Sequence, residues 1–123
     1  MSKRILYVSY DEKVLIARRT LLEQRGYLVT AALGFKEAVA VCDDGEFQLF
    51  ILGHAIPPKD KERLSAIFRR NCSAPILALW RRHEPVSDTA DYVAFSDDPT
   101  QFLKNVARVL VQHAAKANVA RLA

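Results

Sequence analysis

An α/β fold, doubly wound about a five-stranded parallel sheet with helices on both faces, is predicted by three features of this sequence. Short apolar runs alternate with segments of helical periodicity, giving five strand-helix units. The third run, Phe47 to Leu52, is too continuously apolar to have a wet face, so helices must cover both sides of it. Helix start and stop signals fall between the runs: Asp11, Gly26, and the stretch Asp98-Pro99-Thr100-Gln101.

Arg4 to Ser9 reads as the first strand, and Asp11 is placed to cap a helix running to about Arg25, on which Val14, Ala17 and Leu21 recur at helical spacing. Gly26 closes that helix as a left-handed stop. Tyr27 to Ala32 forms the second strand, Phe35 to about Asp43 a short helix, and Phe47 to Leu52 the third strand. Pro57-Pro58 breaks the chain before a helix from about Asp60 to Arg70, with Leu64, Ile67 and Phe68 facing inward. Pro75 opens the fourth strand, Ile76 to Leu79, and the fifth is Asp91 to Phe95. Asp98 then supplies an N-cap, Pro99 the first helical residue and Gln101 the capping-box position. The long final helix carries Phe102, Val106, Val109 and His113 in one stripe, flanked by Leu103, Leu110 and Ala114.

With 123 residues, the chain is expected to form one domain, its core at residues 3–112 and residues 113–123 serving as the end of the last helix or a tail. Half of the residues are hydrophobic and 26% are charged, which suits a globular protein. No run approaches the roughly 18 uninterrupted apolar residues of a membrane span, and Ile5-Leu6-Tyr7-Val8 is too short for a signal-peptide core, so a cytoplasmic location is expected. Cys42 and Cys72 match no metal-ligand or CxxC spacing and read as reduced, partly buried thiols. His54, His83 and His113 are scattered, and no metal or cofactor is expected. A net charge of +4 is mild. The pairs Arg18-Arg19 and Arg69-Arg70 read as solvated helix faces, and without a helix-turn-helix or basic arm nucleic acid is not an expected partner.

Over residues 3–112 the chain resembles the receiver domain of bacterial two-component response regulators. Arg4-Ile5-Leu6-Tyr7-Val8 is similar to that family's first strand, and Leu21-Leu22-Glu23-Gln24-Arg25-Gly26-Tyr27-Leu28-Val29 to its junction of helix, glycine, aromatic and strand. Gly34-Phe35-Lys36-Glu37-Ala38-Val39, Phe47 to Leu52, Pro57, Pro75-Ile76-Leu77-Ala78-Leu79 and Asp91-Tyr92-Val93 continue the match in order. The resemblance implies a flavodoxin-like sheet of order 2-1-3-4-5. It also implies a helix between the fourth and fifth strands. Only the ten residues Arg81 to Ala90, Pro85 among them, are available there, so that fourth helix is expected to be shortened or missing.

The family's chemistry uses carboxylates after strand one to hold a divalent metal, an aspartate after strand three to accept phosphoryl, a Ser or Thr after strand four and a Lys after strand five. The resemblance places these on Ser9 and Tyr10, Gly53, Trp80 and Phe95, every one a departure from the pattern. Tyr92 matches the family's mobile aromatic in strand five, a candidate switch or interaction residue. The implied protein is a degenerate pseudo-receiver with no catalytic residue and no bound metal: a non-phosphorylatable interaction module in two-component or phosphorelay signalling, and not an enzyme. Its implied partner is a signalling protein, with a homodimer through the fifth strand and last helix also open to it.

Tyr10, Trp80 and Phe95 are expected to converge around the volume that Gly53 leaves empty, turning an acidic wet pocket into an aromatic one. That cluster is either plugged core, an exposed partner-binding patch, or the wall of a small-molecule pocket. From another functional class, Arg81 and Arg82 follow a strand C-terminus in the ligand-binding crevice, where guanidinium groups hold phosphate or carboxylate, so anion or nucleotide binding is the alternative.

Overall fold

A computed structural model of the chain describes residues 3–42, 46–71, 73–81, 90–95 and 98–122, with side chains as far as residue 115. The elements are β1 (Arg4–Ser9), α1 (Glu12–Gln24), β2 (Leu28–Leu33), α2 (Phe35–Val41), β3 (Leu49–Leu52), α3 (Pro58–Asn71), β4 (Ile76–Trp80), β5 (Tyr92–Phe95) and α4 (Pro99–Leu122). The five strands form one sheet in the order β2-β1-β3-β4-β5, every pair parallel. Both the expected fold class and the expected order hold. Residues 82–89 lie outside the described residues, and with them the expected shortening of a helix between β4 and β5.

The two-residue period of the strands sorts the core onto two faces. Ile5, Tyr7, Leu49, Ile51, Leu77 and Leu79 pack against Leu15 and Leu22 of α1 and Phe102, Val106 and Val109 of α4. Leu6, Val8, Phe50, Leu52 and Ile76 face Ala38 of α2 and Leu64 and Phe68 of α3. The central strands β3 and β4 are buried along their whole length, which is why they read as unbroken apolar runs.

Local signals set the helix ends. Asp11 caps α1, its carboxylate accepting from the amides of Lys13 at 3.0 Å and Val14 at 3.3 Å. Gly26, at φ 88°, turns the chain out of α1. Asp98 accepts from the Thr100 amide at 2.9 Å, but Gln101 does not close a capping box: its side chain runs forward to Asn105 at 3.4 Å. α3 starts at Pro58, two residues before the expected start, because a proline without an N–H fits the first helical position and the Pro57 carbonyl accepts the first helical bond from Lys61 at 3.0 Å. Lys61 and Ser65 turn inward with Leu64 and Phe68 on one stripe of α3, and Ile67 is half-buried. Residues 113–122 continue α4 as helix. Among the described residues no helix is long and apolar enough to cross a membrane.

Candidate functional site

The C-terminal tips of β1, β3, β4 and β5 carry the five residues singled out by sequence, and each sits differently from the others. Ser9 is fully buried, and its hydroxyl serves the turn into α1, donating to the Asp11 carbonyl at 3.0 Å and accepting from the Asp11 amide at 3.1 Å. Tyr10 is half-buried and donates its hydroxyl to Asp60 Oδ2 at 2.8 Å. Burial raises the Tyr10 pKa well above the phenol range, helped by that hydrogen bond and the Asp60 charge and opposed by Arg63. Arg63 lies 3.5 Å from the same carboxylate.

Gly53 does not leave an empty volume. Its amide donates to the Val8 carbonyl at 2.8 Å. A Cβ on Gly53 would stand 2.9 Å from that same carbonyl oxygen, 3.5 Å from the Tyr7 hydroxyl and 3.6 Å from Ser9 Cα. The β1 backbone fills the place where an acceptor side chain would begin. The expectation of a hollow filled by aromatics is corrected on this point.

Trp80 is buried, at 1% exposure, as expected of plugged core. Its face is covered by a residue that sequence reading passed over: Lys61 of α3 is fully buried, with Nζ 3.6 Å from the indole centroid. Phe95 pairs in register with Trp80 but stands on the edge strand, 38% exposed. Tyr10, Trp80 and Phe95 thus stand in three different settings at the strand tips. The first turn of α3 engages two of them, and the edge position leaves the third partly open to solvent. Tyr92 is half-buried against the α1 and α4 face. Arg81 is exposed directly after β4, and Arg82 lies outside the described residues, so the proposed pair is not assembled among them. Cys42 is buried, its Sγ donating to the Val39 carbonyl at 3.2 Å and accepting from Asn71 Nδ2 at 3.4 Å, and Cys72 lies outside the described residues. Among the described residues no group of three His, Cys, Asp or Glu side chains is placed to hold a metal.

On the opposite face Tyr7 reaches toward Gly53. Its ring meets Phe102 edge to face at 6.1 Å, and the Arg18 guanidinium lies 4.7 Å from the Phe102 centroid. The Tyr7 hydroxyl is buried without a hydrogen-bond partner among the described residues. Burial pushes its pKa up to about 12, with Arg18 opposing. A phenol whose folded pKa exceeds its unfolded value stabilises the fold fully below the unfolded pKa, because the unfolded chain is the first to lose the proton as pH rises. Tyr7 is thus expected to withdraw about 3 kcal/mol of stability between about pH 10 and pH 12. Denaturant unfolding followed across that window checks this, with Tyr7→Phe as the control that flattens the decline.

Lys61, Asp60, Tyr7 and Arg18 were not found by sequence reading. Only Lys61 left a signal. It stands three, four and seven residues before Leu64, Ser65 and Phe68, on the buried stripe of α3.

No protein-family model and no curated protein sequence matches the chain. Solved structures do. The N-terminal domain of a response regulator/sensory box/GGDEF protein from Carboxydothermus hydrogenoformans superposes with a TM-score of 0.78 at 21% identity, over 94% of this chain and 99% of that one. Chemotaxis response regulator CheY4 of Vibrio cholerae gives 0.72 at 20% identity, over 89% and 99%. Response regulator TrrA of Thermotoga maritima, solved with Mg²⁺ and BeF, gives 0.74 at 24% identity, over 88% and 98%. The fold is that of response-regulator receiver domains.

Proposed function

We propose that this chain is a receiver-like domain that has given up phosphoryl transfer and works as a protein-interaction module in a cytoplasmic two-component or phosphorelay pathway. The observation that carries this reading is Gly53, whose missing side chain is matched by a β1 carbonyl 2.9 Å from the Cβ position. A phospho-acceptor needs a carboxylate aimed into the strand-tip crevice, beside a cation that neutralises the transferring group. Here the acceptor position has no side chain, Ser9 is committed to its turn, and Tyr10 is tied to Asp60.

What remains is a receiver fold, and receiver folds act through protein partners. TrrA, one of the similar structures, is also solved in complex with histidine kinase ThkA. A signalling protein is accordingly the partner proposed for this chain, without any enzymatic step. The test is beryllofluoride with Mg²⁺, read in the amide NMR spectrum. The spectrum is expected to stay unchanged. Specific, saturable shifts at Ser9, Gly53 and Trp80 would show instead that a phosphoryl site survives.

A further inference from the structure

Two consecutive side chains in the first turn of α3 reach in different directions across the sheet. Asp60 accepts the Tyr10 hydroxyl at 2.8 Å, and Lys61 lays its ammonium 3.6 Å from the centre of the Trp80 ring. Tyr10 follows β1 and Trp80 ends β4, the strands on either side of β3. Lys61 is fully buried, and a buried ammonium is retained only where fixed contacts replace its lost hydration. The indole face is such a contact, and it is aromatic at the position where a receiver's chemistry would want a hydroxyl.

We infer that Asp60 and Lys61 form a built-in clamp that holds the tips of β1 and β4 in one arrangement, so that whatever surface those tips govern is permanently set. The clamp rests on the reading that no phosphoryl group is taken up here, and it adds to that reading a fixed internal cation in place of a transient bound one. A two-state element that needs a ligand to bias it exchanges between states on the microsecond-to-millisecond scale when the ligand is absent. A clamped one does not.

Amide relaxation dispersion on the full chain tests this, with the indole N–H of Trp80, the chain's single tryptophan, as a further probe. Flat profiles at Tyr10, Gly53 and Trp80 are expected for the native protein, with or without Mg²⁺. Tyr10→Phe removes one arm of the clamp, and Lys61→Met removes the ammonium of the other while keeping an unbranched side chain only one atom shorter. Each single variant is expected to show exchange on its own side of β3, and the double variant on both sides and at Gly53. Exchange in the native protein, or flat profiles in the double variant, would overturn the clamp. Should Lys61→Met fail to fold, Tyr10→Phe alone decides: exchange at residues 9–11 and 59–61 supports the clamp and its absence refutes it. Beryllofluoride with Mg²⁺ on the native protein separates the two claims. Shifts at Ser9, Gly53 and Trp80 refute the inert site itself, whereas an inert native protein with quiet variants refutes the clamp alone.

Discussion

Trp80→Ala is expected to destabilise the domain by about 3–5 kcal/mol, the range for a large aromatic removed from a core. Trp80 ends β4 at 1% exposure, and truncation would leave a cavity the central sheet cannot collapse to fill. It would also strip the indole from a fully buried ammonium, since Lys61 Nζ lies 3.6 Å from the ring. The upper half of the range is therefore expected. Equilibrium denaturation followed by circular dichroism measures the loss in a variant that has no tryptophan emission left. In the native protein that emission is expected to be blue-shifted. A red maximum together with a loss under about 1 kcal/mol, the scale of a surface substitution, would place Trp80 at the surface and favour a partner-binding aromatic patch.

Gly53→Asp is expected to be the other large effect. Adding a Cβ 2.9 Å from the Val8 carbonyl forces β1 and β3 apart, and overpacking of this kind costs about 1–3 kcal/mol. The carboxylate adds its own loss. Gly53 is buried, and a desolvated carboxyl there has its pKa raised, so the folded state prefers the neutral acid. A raised carboxyl pKa contributes its deficit as pH climbs above the unfolded value of about 4, so the variant is expected to weaken further from acid toward neutral pH. Gly53→Ala isolates the steric part and is expected to show no such pH dependence. Urea titrations of both variants at acid and neutral pH give the two contributions separately.

The architecture was legible because its determinants are local. Strand burial is written as apolar runs, Asp11 and Asp98 cap their helices from two residues away, and Gly26 takes the left-handed conformation its position calls for. The strand tips were legible only as positions. That Tyr10 would meet Asp60 depends on a contact spanning fifty residues, and that Gly53 would have no room depends on how close β1 runs to β3. Phe95 was expected in the cluster because the family resemblance puts it at the tip of strand five, but β5 is an edge and leaves it partly exposed. Lys61 was passed over because lysine is read as solvated by default. Its place three and seven residues ahead of Leu64 and Phe68, already inside the helix expected from about Asp60, was the available signal.

The central claim is that the chain takes up no phosphoryl group, and intact-protein mass spectrometry after incubation with acetyl phosphate and Mg²⁺ tests it most directly. The native protein and Gly53→Asp are both expected to keep their unmodified masses, because in the reading proposed above the positions of the acceptor, the metal ligands and the lysine fall together on Gly53, Ser9, Tyr10 and Phe95, none of which is a carboxylate or a lysine. A phosphoryl adduct on the native protein would contradict the account outright. An adduct on Gly53→Asp alone would show that the inactivity is one residue deep and that the rest of the site was never rebuilt.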